Sequence, residues 1–383
     1  MRIKNNLKDI EPIFIGDEFC PVIFTHVGCS EDIENIEINI KDAKEKIQLA
    51  IQAGTNAICD VSMNKKIPYI QECLMKDLTI PFGAVSIYET YISLESNSEK
   101  INEQYFIKII EEECLRGIDV LTLHATVLLE DDVLIKKSKR LIPSTSRGGV
   151  LMLELMKKYN IENPYYTCFE EILSIVKKYD VAISLGPMYR PASVCDCKIE
   201  DLHYIELLRM QKLCRIALDN GVNIMIEGIG HAPINRIEEM IKTAKSLCYN
   251  VPYRCMVVST DISIGYDHVS SAIASALAIY YGADSITCVT RKEHLGIPSQ
   301  EDTYEGVMVA KVAVHSGYSA RTNDFTLDRA MTISRKKQGC IGNPSYALFP
   351  KLIEKYVQDE RKCSMCGSYC PLVKQKEEKD GIL

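Results

Sequence analysis

Three cysteines crowd the stretch "RKCSMCGSYCPLVKQKEEKDGIL": Cys363, Cys366 and Cys370, separated by two and then three residues. A structural zinc site takes four ligands in a closed tetrahedron, and no Cys or His follows Cys370. Two chemistries fit. Either a distant thiol such as Cys340 completes a zinc knuckle, or three thiolates hold an iron–sulfur cluster and leave one iron open. Further upstream, His231 in "EGIGHAP" and His294 in "RKEHLGIP" could share a divalent ion. Imidazole suits zinc or ferrous iron, and two protein ligands leave positions for substrate or water; two unrelated hydrogen-bonding histidines would look the same. The segment "STSRGGVLMLELMKKY" places Ser146, Arg147 and Gly148 at the opening of a helix. Free amides, glycines that permit close approach and an Arg make a cradle for phosphate there, although an ordinary helix start has the same pattern.

These groups need a scaffold. Eight short apolar runs recur, at 21–26, 57–62, 83–88, 120–125, 181–186, 223–228, 255–260 and 285–290. Between them lie segments of helical spacing that end in Gly or a similar stop. Continuous apolar strands alternating with helices indicate a parallel sheet buried on both faces. Eight such units predict an α/β fold, a (β/α)8 TIM barrel, whose usual size is roughly 250 residues. A doubly wound open sheet would carry a G-x-G-x-x-G turn after its first strand, and none is present. The expected layout is a barrel over 1–320 with a short lead-in, a helical segment over 321–360 and a cluster-binding tail over 361–383.

Barrel enzymes place their chemistry where strands end. His26, Tyr88, His124, Arg190, Glu227, His231, Asp261 and His294 fall at or just after the ends of the predicted strands. Any one alone is more often structural. Together they direct most of the seven histidines and several charges toward one mouth.

Bulk properties set the context. A hydrophobic content of 46% and a charged content of 25% over 383 residues describe an ordinary globular chain. No run approaches a membrane span and the N-terminal residues carry no apolar signal segment, so a cytoplasmic location is expected. Sixteen cysteines without a small-scaffold disulfide pattern indicate a reducing compartment. A net charge of −7 with dispersed Lys and Arg argues against nucleic acid as a partner.

The segments "SRGG", "YDVAISLGPMYRPASVCD", "EGIGHAPI", "TDISIGYDHVSSAIASALAIYYGADSITCVTRKEHLGIPS" and "CSMCG" resemble the ThiC family. Its members are the noncanonical radical S-adenosylmethionine (SAM) enzymes of thiamin pyrimidine synthesis and their benzimidazole-forming relatives. The resemblance runs from about residue 20 onward. It implies a (β/α)8 barrel followed by a cluster-binding segment, which in a homodimer reaches across to cover the partner's barrel. It assigns Cys363, Cys366 and Cys370 to a [4Fe–4S] cluster whose open iron takes the amino and carboxylate groups of SAM. His231 and His294 match a site for one divalent metal, zinc or iron. Ser146, Arg147 and Gly148 match the segment that holds the phosphate of aminoimidazole ribotide. Tyr88, His124, Arg190, Glu227 and Tyr253 match other substrate contacts, with Glu227, His124 and Tyr88 orienting the ring and ribose or shuttling protons. The reaction so implied needs a low-potential electron donor such as ferredoxin or flavodoxin. The cluster splits SAM, and the resulting 5′-deoxyadenosyl radical abstracts hydrogen from the ribotide.

The departures from the family pattern point to a product. Thiamin-pathway members usually have Asn where this chain has His26, Met where it has Cys59 and Asp where it has Pro187, and four rather than three residues between the last two cysteines. An unchanged phosphate grip with altered ring and ribose contacts leads to the expectation of 5-hydroxybenzimidazole, the base of anaerobically made cobamides. Phosphomethylpyrimidine synthesis is the alternative. A non-enzymatic, zinc-binding barrel is the reading from another class.

Overall fold

In the computed structural model, which describes residues 1–30, 35–95, 102–197, 201–356, 365–372 and 374–375, all eight apolar runs become strands of one closed parallel ring. A two-residue antiparallel hairpin, β1 (Arg2–Ile3) and β2 (Ile13–Phe14), precedes it. The first half then runs β3 (Val22–Val27), α1 (Ile36–Ala53), β4 (Ala57–Asp60), α2 (Ile67–Met75), β5 (Phe82–Val85), α3 (Ser86–Glu95), α4 (Glu103–Arg116) and β6 (Val120–Leu123). Four helices follow before the next strand: α5 (Asp131–Lys137), α6 (Arg147–Tyr159), α7 (Pro164–Thr167) and α8 (Phe169–Lys178). The ring is completed by β7 (Ala182–Leu185), α9 (Asp201–Asp219), β8 (Ile224–His231), α10 (Ile237–Leu247), β9 (Tyr253–Val258), α11 (Asp267–Tyr280) and β10 (Ser285–Thr287). β10 pairs with both β9 and β3, which closes the barrel. The long α12 (Gln300–Thr322), α13 (Thr326–Gln338) and α14 (Pro350–Tyr356) come last. The chain divides into two compact units, Met1–Tyr318 and Ser319–Leu383. Among the described residues no helix is long and apolar enough to cross a membrane.

Local sequence accounts for the alternation of strand and helix. Asn35 and Asn102 cap α1 and α4 by accepting amide hydrogens of their first turns. Each of those helices stops at a glycine in the left-handed region, Gly54 at φ 108° and Gly117 at φ 97°, where a residue lacking Cβ reverses the chain into the next strand without strain. On the outer face of the ring, Ile58, Leu121, Ile183 and Ile226 are fully buried against the surrounding helices.

The lumen has its own small core. Val22, Phe24, Ala57, Val120, Ala182 and Met225 point inward from the lower parts of the strands, and Ile3 and Ile15 from the N-terminal hairpin pack among them. Small Ala57 and Ala182 leave room for Phe24 and Met225, so one end of the barrel is filled rather than open. Asp119 ties this end together by accepting the amide hydrogens of Asn6 at 2.6 Å and Phe82 at 2.8 Å. The sequence pattern assigned the hairpin only to a lead-in, because two-residue strands carry no periodicity.

Ile15 is fully buried at this plug, so Ile15→Ala is expected to lower the unfolding free energy by about 2–4 kcal/mol in a urea titration. A loss below about 0.5 kcal/mol would mean that the hairpin is not part of the barrel core.

Candidate active site

Successive strand residues face opposite sides of a sheet, and residues paired across neighbouring strands share a side. Above the apolar plug this rule brings His26, Cys59, Thr122, Ser184, Glu227 and Arg254 into the lumen. His26 pairs with Cys59, Thr122 with Ser184, and Glu227 with Arg254. The polar groups form one network. Glu227 Oε1 accepts hydrogen bonds from Ser184 Oγ at 2.6 Å and Thr122 Oγ1 at 3.1 Å and pairs with Arg254 Nη2. The guanidinium lies 4.8 Å above the Phe24 ring. Burial alone would raise the Glu227 carboxyl, but Arg254 and the Ser184 hydroxyl hold it below the ordinary range, so it is ionised at neutral pH. Burial pushes the Cys59 thiol up to about 12, which keeps it protonated. Burial and the neighbouring Arg254 hold the His26 imidazole well below its usual value, and its buried Nε2 has no hydrogen-bond partner among the described residues.

His124 sits just past β6 in a slot between two glycines. A Cβ on Gly148 would lie 2.2 Å from its Cε1, and one on Gly186 would lie 2.8 Å from its Nε2. The backbone oxygen of His124 accepts from Asn163 Nδ2 at 2.9 Å, while its ring Nδ1 is buried and has no hydrogen-bond partner among the described residues. Burial pushes this imidazole down to about 4, so it is neutral at pH 7 and can accept a proton or hydrogen bond without carrying a charge of its own.

Gly148 belongs to the predicted phosphate cradle, whereas Gly186 follows β7. Ser146 caps α6, its Oγ accepting from Gly149 N at 3.2 Å. Arg147, the first residue of that helix, lies 5.4 Å from the centre of the Tyr88 ring, and Arg190 Nη2 donates to the Thr145 oxygen at 3.5 Å. Two guanidinium groups beside a helix N-terminus favour an anion there. Tyr88 stands in the first turn of α3 rather than at a strand end, because that helix begins at Ser86 directly after β5.

His231 and His294 meet as expected, with ring centroids 5.2 Å apart. His231 Nδ1 lies 2.7 Å from Asp261 Oδ1, and His294 Nδ1 lies 3.1 Å from Asp267 Oδ1. A carboxylate on one ring nitrogen fixes the tautomer and leaves the other nitrogen for a ligand. Asp261 is itself steadied by Ser193 Oγ at 2.8 Å and the Val194 amide at 3.0 Å. No group of three or more His, Cys, Asp or Glu side chains is poised to hold an ion among the described residues.

Two parts of the sequence reading fall elsewhere. Tyr253 does not join the lumen. It pairs with Ile226 on the outer face of the ring, is almost fully buried, and its hydroxyl would be 2.1 Å from a Cβ on Gly228. The neighbouring Arg254 occupies the lumen instead. Cys363 lies outside the described residues. Cys366 is exposed and Cys370 buried in the second unit, where Cys370 Sγ comes within 3.4 Å of Cys340 Sγ. Arg254, Thr122, Ser184 and Asp267 were not singled out from sequence. A signal existed for Arg254, since one charge inside the apolar run "YRCMVV" must find a buried partner.

Residues 1–377 match the model of the family described as the radical SAM ThiC family. The phosphomethylpyrimidine synthase of Carboxydothermus hydrogenoformans is 34% identical over 378 residues, covering 96% of this chain and 87% of that protein. That of Methanocaldococcus jannaschii is 35% identical over 386 residues, covering 98% and 89%. A solved dihydropteroate synthase from Coxiella burnetii aligns over 84% of this chain with a TM-score of 0.49 and 11% identity, too distant a likeness to bear on the chemistry.

The slot around His124 is directly testable. Gly148→Ala is expected to destabilise the protein by about 1–3 kcal/mol, the usual cost of overpacking, in a thermal or urea melt. An unchanged melt would mean that the helix start and the imidazole are not in contact.

Proposed function

Because the chain belongs to the radical SAM ThiC family, we propose that it rearranges aminoimidazole ribotide to phosphomethylpyrimidine. The observation that carries this reading is the match of nearly the whole chain to proteins named for that product. The sequence alone favoured 5-hydroxybenzimidazole, and the named relatives do not support that preference. It remains the second reading, carried by His26 and Cys59 at the lumen wall and by Pro187. A non-enzymatic zinc barrel is set aside, since the family is one of radical SAM enzymes.

The residues of this chain divide the work. Arg147, Arg190 and the capped start of α6 would grip the phosphate and so set the depth at which the rest of the ribotide enters. Ionised Glu227 would accept an N–H or O–H of the substrate, held to one orientation by Arg254, Ser184 and Thr122. His26 and His124 are both neutral, and each has an unpartnered ring nitrogen with which to take or return a proton. Tyr88 would pack beside the phosphate, its hydroxyl kept protonated by burial.

Three thiols within eight residues suit iron–sulfur ligation with one iron open, and Cys366 and Cys370 with Cys363 would hold the cluster. A [4Fe–4S] cluster with SAM supplies hydrogen-atom abstraction when bound. His231 and His294, each backed by a carboxylate, fit one zinc or ferrous ion and would be its imidazole ligands. A homodimer and a low-potential donor such as ferredoxin or flavodoxin belong to the same proposal.

The deciding experiment incubates the anaerobically reconstituted protein with aminoimidazole ribotide, SAM and a low-potential reductant, followed by mass spectrometry. The phosphorylated aminopyrimidine is expected, and Cys366→Ala should lose both iron and product. A phosphate-free benzimidazole would install the second reading, and no consumption of ribotide would overturn both. For the metal, Asp261→Asn is expected to weaken zinc or iron binding about 10–100-fold by metal-binding titration, without changing the cluster's iron and sulfide content. Unaltered affinity would make the contact between Asp261 and His231 purely structural.

A further inference from the structure

We infer that Arg254 is a specificity-determining residue that touches the substrate: through Nη1 it donates a hydrogen bond to an acceptor on the heterocycle of the bound ribotide, at the end of the pocket away from the phosphate. The inference rests on the ribotide reading above and adds a contact to it. Arg254 is 3% exposed, and its surroundings account for only part of its donor capacity. Nη2 is engaged by Glu227 and lies 3.4 Å from Thr122 Oγ1. Nη1 is buried and, among the described residues, has no nitrogen or oxygen acceptor. The Cys59 thiol interacts with the guanidinium, but a thiol is a weak acceptor and leaves most of that donor capacity unmet. A buried donor on a charged group is costly to leave unmade, so an acceptor is required from whatever fills the lumen.

Position decides which part of the ligand supplies it. The other two guanidinium groups of the mouth, Arg147 and Arg190, stand at the start of α6, where an anion is favoured. Arg254 lies over Phe24, a residue of the apolar plug, so its free donor lies against the floor of the polar layer. Its charge is already balanced by Glu227, which makes it a poor second phosphate site and a good donor to a neutral acceptor. A side chain that accepts, Glu227, next to one that donates, Arg254, reads a group bearing N–H and lone-pair nitrogen together. An aminoimidazole offers both, whereas the sugar phosphate alone lacks the ring nitrogen.

The test compares aminoimidazole ribotide with ribose 5-phosphate by titration calorimetry on the full chain without SAM, using wild type and Arg254→Lys. Lysine keeps the charge beside Glu227 but not the planar fork of donors. The variant is expected to lose at least about tenfold in affinity for the ribotide, the usual size for a hydrogen bond to a charged group, with less than a threefold change for ribose 5-phosphate. Equal weakening of both ligands, or wild-type affinity for both, would overturn the inference while leaving the ribotide reading intact. Wild-type protein that binds ribose 5-phosphate but not the ribotide overturns both. Should Arg254→Lys melt early, the charge-neutral pair Arg254→Met with Glu227→Gln takes its place, and ribotide binding within threefold of wild type would again refute the contact.

Discussion

Closing eight parallel strands into a ring sends every second side chain into a lumen only a few residues wide, and most other features of this protein follow from that constraint. Parallel barrels bury both faces of their strands, so the lumen must be filled. Here it is filled with apolar groups at one end, where Ile3 and Ile15 close it from below, and with polar groups at the other. The transition is abrupt. Phe24 belongs to the apolar plug, and the guanidinium above it belongs to the polar layer.

The polar layer avoids uncompensated charge. Isolated buried ions are expensive, and pairs are tolerated only with good geometry and extra hydrogen bonds. Glu227 and Arg254 neutralise each other across adjacent strands, and two hydroxyl groups complete the carboxylate. His26 and His124 contribute no charge because burial keeps them neutral. Net positive charge is thereby reserved for the rim, where Arg147 and Arg190 flank a helix N-terminus. A dianionic phosphate at the rim with an uncharged heterocycle deeper in the lumen matches this gradient.

The histidine pair follows a different logic. Its rings come from the last residue of β8 and the loop after β10, and they are held by Asp261 from the loop after β9 and Asp267 at the start of α11. Fixing imidazoles by carboxylates defines their tautomers at the rim. Cys366 and Cys370 belong to the second unit.

What the sequence determined by itself were the features that depend on local composition. Eight apolar runs with helices between them were enough for the barrel, and the ends of the runs were enough to place His26, His124, Glu227, His231 and His294 near the ends of its strands. The glycines beside Ser146 and Arg147 marked a close approach read as one to phosphate, and in the structure Gly148 is approached by His124. Only the tertiary structure decided the phase of each strand. In a strand buried on both faces, hydrophobicity does not alternate, so "YRCMVV" gives no sign of which residues face the lumen; Tyr253, a substrate contact by resemblance, faces outward and Arg254 inward. The same holds for Ser184, Thr122 and Asp267, ordinary residues whose roles come from partners 43, 105 and 27 positions away in the chain. Register and closure bring those partners together, and neither is encoded in any short window of residues.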